Sequence, residues 1–168
     1  MHETTSTYNN RQKIDDLIQG HQIHRDLYTS HELYKLEMRH LFSNTWVFVG
    51  HESQTKNKGD YYTTQIGDQP VIQVRHNDGE IKVLHNRCPH KGTKIAIDRE
   101  GNTGKFFRCP YHAWSFDLDG NLKGRPHYDG PGRHDHGQEQ GNGRVCLFEV
   151  RSHQWGDWIF VNLDGQAV

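Results

Sequence analysis

Four side chains in this sequence form two short pairs: Cys88-Pro89-His90 and, further on, Cys109-Pro110-Tyr111-His112. Each pair offers one thiolate and one imidazole, donors that suit late transition metals. Two chemistries compete for such a set. A binuclear iron–sulfur cluster can take two thiolates on one iron and two imidazoles on the other. A structural zinc ion can take all four donors at once, but its common fingers place both Cys a few residues apart before either His. Here each pair mixes the two types, with one residue between the partners in the first and two in the second. That order favours a [2Fe–2S] cluster held by Cys88, His90, Cys109 and His112. Neutral imidazoles donate less negative charge than thiolates, so the iron they hold is easier to reduce.

The pairs must sit on two loop tips that meet face to face. Pro89 and Pro110 fix φ and remove backbone donors, which stiffens the tips, and Gly92 permits a backbone turn and close approach. Eighteen residues separate His90 from Cys109, enough for a hairpin around Asp98 to Lys105 that carries one tip across to the other. Thr93, Tyr111 and Trp114 are expected to pack around the centre.

The remaining elements read as a scaffold of short strands. Ser30 is placed to cap a helix running to about Phe42, with Leu33, Leu36, Met38 and Leu41 as its apolar face. A shorter helix is expected near Lys13 to Ile18. Strands are expected at Trp46–Val49, ended by Gly50, at Gly59–Ile66 and at Pro70–Arg75 around the turn Gly67-Asp68-Gln69. Others are expected at Ile81–Leu84 after Asn77-Asp78-Gly79, at Phe106–Arg108, and at Trp114–Leu118 before Asp119-Gly120-Asn121. Val145–Val150, with Cys146 as a small core residue, and Trp158–Leu163 complete the series. Many short strands joined by Gly-bearing turns imply an all-β body of antiparallel sheets. Residues 1–29 read as a polar arm, 30–165 as one domain, and 123–143 as a polar insertion loop with almost no apolar residues.

Composition narrows the function. The chain has 168 residues, of which 32% are hydrophobic. Such a lean core would gain from a metal centre cross-linking its loops. Twenty Lys and Arg balance 21 Asp and Glu, so bulk charge gives no reason to expect a nucleic-acid or membrane partner. Most of the 14 His are expected at the surface. No stretch resembles a signal peptide or a membrane span, and three Cys in such a chain suit a reducing, cytoplasmic setting.

The stretch from His85-Asn86-Arg87-Cys88 through Cys109-Pro110-Tyr111-His112-Ala113-Trp114 to Asp119-Gly120 resembles the Rieske domain of ring-hydroxylating oxygenase α subunits. That family usually has Gly where Ala113 stands, and its gap between the pairs is slightly shorter. Segments resembling the same subunits flank the motif at Glu37–Glu52 and Trp155–Leu163. The resemblance implies a Rieske-type fold of stacked antiparallel sheets with a small cluster-binding subdomain, its loops near 85–118, preceded by a helical segment. It implies a Rieske [2Fe–2S] cluster on Cys88, His90, Cys109 and His112, whose outer ring nitrogens lie near solvent. The disulfide-bearing Rieske proteins have an extra Cys in each cluster loop; Thr93 and Tyr111 stand at those places here.

What the resemblance implies for function is electron relay. A ferredoxin or flavin-dependent reductase would supply single electrons. A mononuclear Fe(II) in a catalytic domain, on a neighbouring α subunit of a homotrimer or α3β3 assembly, would receive them. The usual Asp-x2-His-x4-His pattern of that iron site is not found. His127, Asp129, His134, Asp135 and His136 sit in a Gly-rich loop and read as surface residues. The chain alone is therefore expected not to hydroxylate a substrate. The rival reading is a free-standing Rieske ferredoxin that only carries electrons.

Overall fold

In the computed structural model, which describes residues 11–126 and 145–164, the strands fall into three antiparallel sheets and one small hairpin. The N-terminal segment holds α1 (Arg11–Asp15), the two-residue strands β1 (Ile18–Gln19) and β2 (Gln22–Ile23), and α2 (Asp26–Thr29). These leave Ile18, Ile23 and Tyr28 exposed. The expected short helix is present but ends at Asp15. The hairpin and α2 were not expected, because two- and four-residue elements carry no periodicity.

α3 (His31–Glu37) begins where Ser30 accepts the Leu33 N–H on its side-chain oxygen, 3.4 Å. It passes directly into a π-helical turn, Met38–Phe42. The wider turn upsets the apolar stripe read from the sequence: Leu41 is exposed while Phe42 packs against the core. Three consecutive polar residues then satisfy the terminal carbonyls. The Ser43 hydroxyl donates to Met38 O (2.6 Å), the Asn44 amide to Arg39 O (3.0 Å), and the Thr45 hydroxyl to Leu41 O (3.0 Å).

The main sheet runs β6 (Ile81–His85), β5 (Gln69–Arg75), β4 (Asp60–Ile66), β7 (Glu100–Asn102). It is a middle layer. Val71 and Val83 on one face join Val49, Ile159 and Val161 of an outer sheet, β11 (Arg151–Trp155), β12 (Trp158–Asn162) and β3 (Val47–His51). Ile72, Val74 and Leu84 on the other face join Cys88, which follows β6, and Phe107, Cys109, Trp114 and Phe116 in and beside a small sheet. That small sheet is β10 (Leu122–Gly124), β9 (Ser115–Asp117) and β8 (Phe106–Arg108). β5 is buried on both faces, so its sequence shows no alternation. Gln73 is its buried polar exception, with Nε2 donating to His51 O and Thr55 Oγ1 across to the outer sheet.

Three expectations are corrected. First, β3 does not stop at Gly50 but runs through it, paired with Ile159. Glycine there leaves room for the buried Gln73 side chain, whose Oε1 would stand 2.3 Å from a Cβ and would have to shift. Second, the segment between the Cys/His pairs is not a hairpin: β7 pairs with β4 and β8 with β9, so the connection crosses from the main sheet to the small one. Third, Val145–Val150 makes only isolated bridges, Asn121 to Cys146 and Leu84 to Glu149, and the regular strand follows it as β11. Cys146 is buried. Residues 127–144, with His127, Asp129, His134, Asp135 and His136, lie outside the described residues, as does most of the expected insertion loop. Among the described residues, no helix is long and apolar enough to cross a membrane.

Candidate metal centre

The two tips grow from the ends of strands in different sheets. Residues 86–96 follow β6 of the main sheet, and Cys109–Trp114 connects β8 to β9 of the small sheet. Both close with the same pair of backbone hydrogen bonds. In the first, the Cys88 N–H donates to Thr93 O (2.8 Å) and the Gly92 N–H donates to Cys88 O (2.8 Å). In the second, the Cys109 N–H donates to Trp114 O (2.8 Å) and the Ala113 N–H donates to Cys109 O (3.0 Å). In each ring the fourth residue after the Cys takes positive φ, 75° at Gly92 and 57° at Ala113. The family's usual Gly is the residue that this conformation favours.

The four predicted site residues come together as two like pairs rather than as four converging donors. Cys88 and Cys109 are both 2% exposed, and their thiols are within hydrogen-bonding reach of each other. The His90 and His112 rings meet edge to face with centroids 4.6 Å apart. Burial, reinforced by Cys109, pushes the Cys88 thiol up to about 11, against the pull of the backbone N–H groups of His90 and Lys91 that point at its sulfur. A metal must displace that proton, and those two N–H groups then stabilise the thiolate. Among the described residues, no three His, Cys, Asp or Glu side chains gather as a single ion would require.

The expected neighbours are in contact. The Trp114 indole stacks on His90 at 4.4 Å with the planes 5° apart, and Arg125 lies over its ring at 5.6 Å. The Tyr111 ring stacks on His112 at 3.8 Å and is 63% exposed. Thr93 contributes its carbonyl to the first ring. The atom that speaks most directly for a metal is His112 Nδ1, which is buried and has no hydrogen-bond partner among the described residues. A buried imidazole nitrogen is normally satisfied, and a metal ligand atom needs no other partner. Two thiols beside two imidazoles with such an atom fit a [2Fe–2S] cluster.

Sequence reasoning missed Asn86 as a positioning residue. Its buried side chain accepts N–H bonds from Ile95 (2.9 Å) and Ala96 (3.0 Å) and donates to Ala96 O (2.7 Å). It thereby ties the far end of the first tip to its start. The available signal was an amide-bearing residue two places before a Cys, in a stretch too short for it to reach water.

Comparison with known proteins places this geometry. A family model described as Rieske [2Fe–2S] domain matches residues 45–146. The benzene 1,2-dioxygenase α subunit of Pseudomonas putida is 40% identical over 95% of this chain and 34% of its own length. The glycine betaine monooxygenase oxygenase subunit of Chromohalobacter salexigens is 36% identical over 87% of this chain and 31% of its own. The solved naphthalene 1,2-dioxygenase from a Rhodococcus species superposes with a TM-score of 0.70 at 32% identity, covering 82% of this chain and 30% of that one. The chain thus spans about a third of the length of these relatives.

Proposed function

Because this chain belongs to the Rieske [2Fe–2S] domain family, we propose that it is the electron-relay portion of an oxygenase α subunit. Cys88 and Cys109 would hold one iron and His90 and His112 the other. The pairing of thiol with thiol and imidazole with imidazole, at the ends of two matched backbone rings, is the observation that carries this assignment. When bound, the cluster takes up and gives back one electron at a time.

The residues around it do the rest. The N–H groups of His90 and Lys91 offset negative charge on the Cys88 sulfur. Trp114 and Tyr111 fix the two imidazole planes by stacking. Asn86 and the ring hydrogen bonds fix the course of the main chain through the two tips that would carry the ligands. Electrons would come from a ferredoxin or flavin-dependent reductase and pass to a mononuclear iron in a catalytic domain, within a multi-subunit assembly. The matched relatives are named for both aromatic and quaternary-ammonium oxidation, so the substrate class follows from that domain and not from this one.

The test is an electron paramagnetic resonance spectrum of the dithionite-reduced protein, with iron and acid-labile sulfide assayed in parallel. A signal of low average g, lost on His112→Ala or Cys88→Ser, is expected. An all-Cys type of spectrum, or material free of iron and sulfide after anaerobic preparation, overturns the assignment.

A further inference from the structure

Arg125 lies where a regular hairpin would not put it. β10 and β9 pair Leu122 with Phe116 but Gly124 with Ser115, so two steps along β10 match one along β9. Lys123 is the extra residue of this bulge, and its ammonium pairs with Asp117 at 3.0 Å. Continued without the bulge, the first pairing would set Gly124 against Trp114 and Arg125 against Ala113. The bulge moves the register by one, so Arg125 follows Gly124 into the place opposite Trp114. Residues directly opposite on an antiparallel pair share a face. Pro126 comes next and favours extended backbone in the residue before it. The observed contact agrees: the Arg125 guanidinium carbon stands 5.6 Å from the centre of the Trp114 ring.

That indole is itself 3% exposed and stacks on His90, with ring centres 4.4 Å apart and planes 5° apart. A guanidinium, an indole and a candidate ligand imidazole are thus in serial contact. Arginine keeps its charge at every ordinary pH, and Arg125 is half-buried, so salt and water screen it incompletely. An iron held by imidazoles is the one more easily reduced, and a positive charge beside it favours the arrival of an electron. A unit charge at roughly 10 Å, in an effective dielectric of about 20–80, changes such an equilibrium about 2- to 20-fold. Resting on the electron-relay reading above, we infer that Arg125, brought over Trp114 by the β10 bulge, raises the reduction potential of the centre through its charge.

The competing role is packing, in which the long side chain covers the indole and its charge is incidental. The experiment is a dithionite titration of the cluster-loaded full chain, followed by its paramagnetic signal. Each centre takes up one electron while dithionite is oxidised to sulfite. Arg125→Gln and Arg125→Met both remove the charge, and Met keeps a long side chain able to lie on an aromatic ring. Each should make reduction about threefold to tenfold less favourable, a fall of about 28–59 mV for one electron. Arg125→Lys retains a cation that can lie over the indole and should keep the potential within half of that fall. Lys123→Gln removes an equal charge that faces Asp117 and should change the equilibrium less than about twofold.

Iron and acid-labile sulfide are assayed in every variant, so that potentials are compared at equal loading. A wild-type potential in Arg125→Met, or equal shifts in Arg125→Lys and Arg125→Gln, assigns the side chain to packing and overturns the inference. Loss of the cluster from both neutral variants does the same. A Lys123→Gln shift as large as that of Arg125→Gln also overturns it, because place over the indole would then not matter. All of these outcomes leave the relay reading intact. Absence of the His-ligated signal from the wild-type protein overturns the relay reading and this inference with it.

Discussion

Ala113 holds a backbone conformation, φ 57°, that L-residues with a Cβ adopt at a penalty of about 1–2 kcal/mol. The ring hydrogen bond from its N–H to Cys109 O keeps it there. Ala113→Gly should relieve the penalty, less what glycine loses in chain entropy, for a net gain of about 0.5–1 kcal/mol. Calorimetry of the cluster-loaded protein should show a higher Tm, and a lower one would mean that the methyl group is engaged in packing. Asn86 makes the opposite case at the same scale. Asn86→Ala leaves the Ile95 and Ala96 N–H groups and the Ala96 carbonyl buried without partners, a loss of about 2–4 kcal/mol. Thermal melts of both variants, each checked for iron content, separate a strained but tolerated residue from a clamp. The Cys/His pairs were legible in the sequence because ligand chemistry is local and spacing-dependent. Asn86 was not, because its partners are defined only once the tip has closed.

The β9–β10 hairpin turns at Gly120, where φ is 82° and a Cβ would lie 2.6 Å from Leu147 O. Both the dihedral and a backbone atom oppose a side chain, so Gly120→Ala should destabilise by about 2–3 kcal/mol in urea titrations. Beside this turn, Asp119 joins the small sheet to the main one through Lys82 and through His76 Nε2 at 3.2 Å. Its hydrogen bond with Lys82 holds the carboxyl below the ordinary 3.8, and the same bond raises the Lys82 ammonium above 10.5. A depressed carboxylate contributes stability above its unfolded value and loses it as pH falls through the folded one. A raised lysine contributes below its unfolded value and loses it as pH rises through the folded one. The bridge should therefore be intact from about pH 5 to 9 and fade at both ends. Asp119→Asn should remove about 0.5–1 kcal/mol inside that window and progressively less as the carboxylate is protonated in acid. At the scale of elements the sequence was only partly readable. Turn signals such as Asn77-Asp78-Gly79 and Asp119-Gly120 marked real hairpins. The edge strand β11, with exposed Arg151, His153 and Gln154, shows no apolar alternation to detect. The division of β7 and β8 between two sheets depends on partners far away in sequence.

In the whole molecule, the main sheet is anchored on both faces by apolar clusters, whereas the small sheet and first tip share a core that includes both thiols. Removing the iron should then act unevenly. Amide exchange in apo-protein is expected to speed up in the tips and in β8–β10, while the doubly buried β5 stays protected. Uniform loss of protection would show that the sheets fold as one unit that needs the metal. Layer order was not readable from sequence, since Val71 and Ile72, adjacent in β5, face different partners. One further consequence follows from the tips. Each fastens its own main chain within six residues, Cys88 to Thr93 and Cys109 to Trp114, by the same two bonds. The pair is thus a transplantable fitting for an unrelated β-protein that offers two neighbouring loop ends and, beneath them, an apolar core like the one that covers Cys88 and Cys109 here. The graft must keep the unequal offsets of two and three residues from Cys to His, and with the first end must travel the asparagine that tethers it.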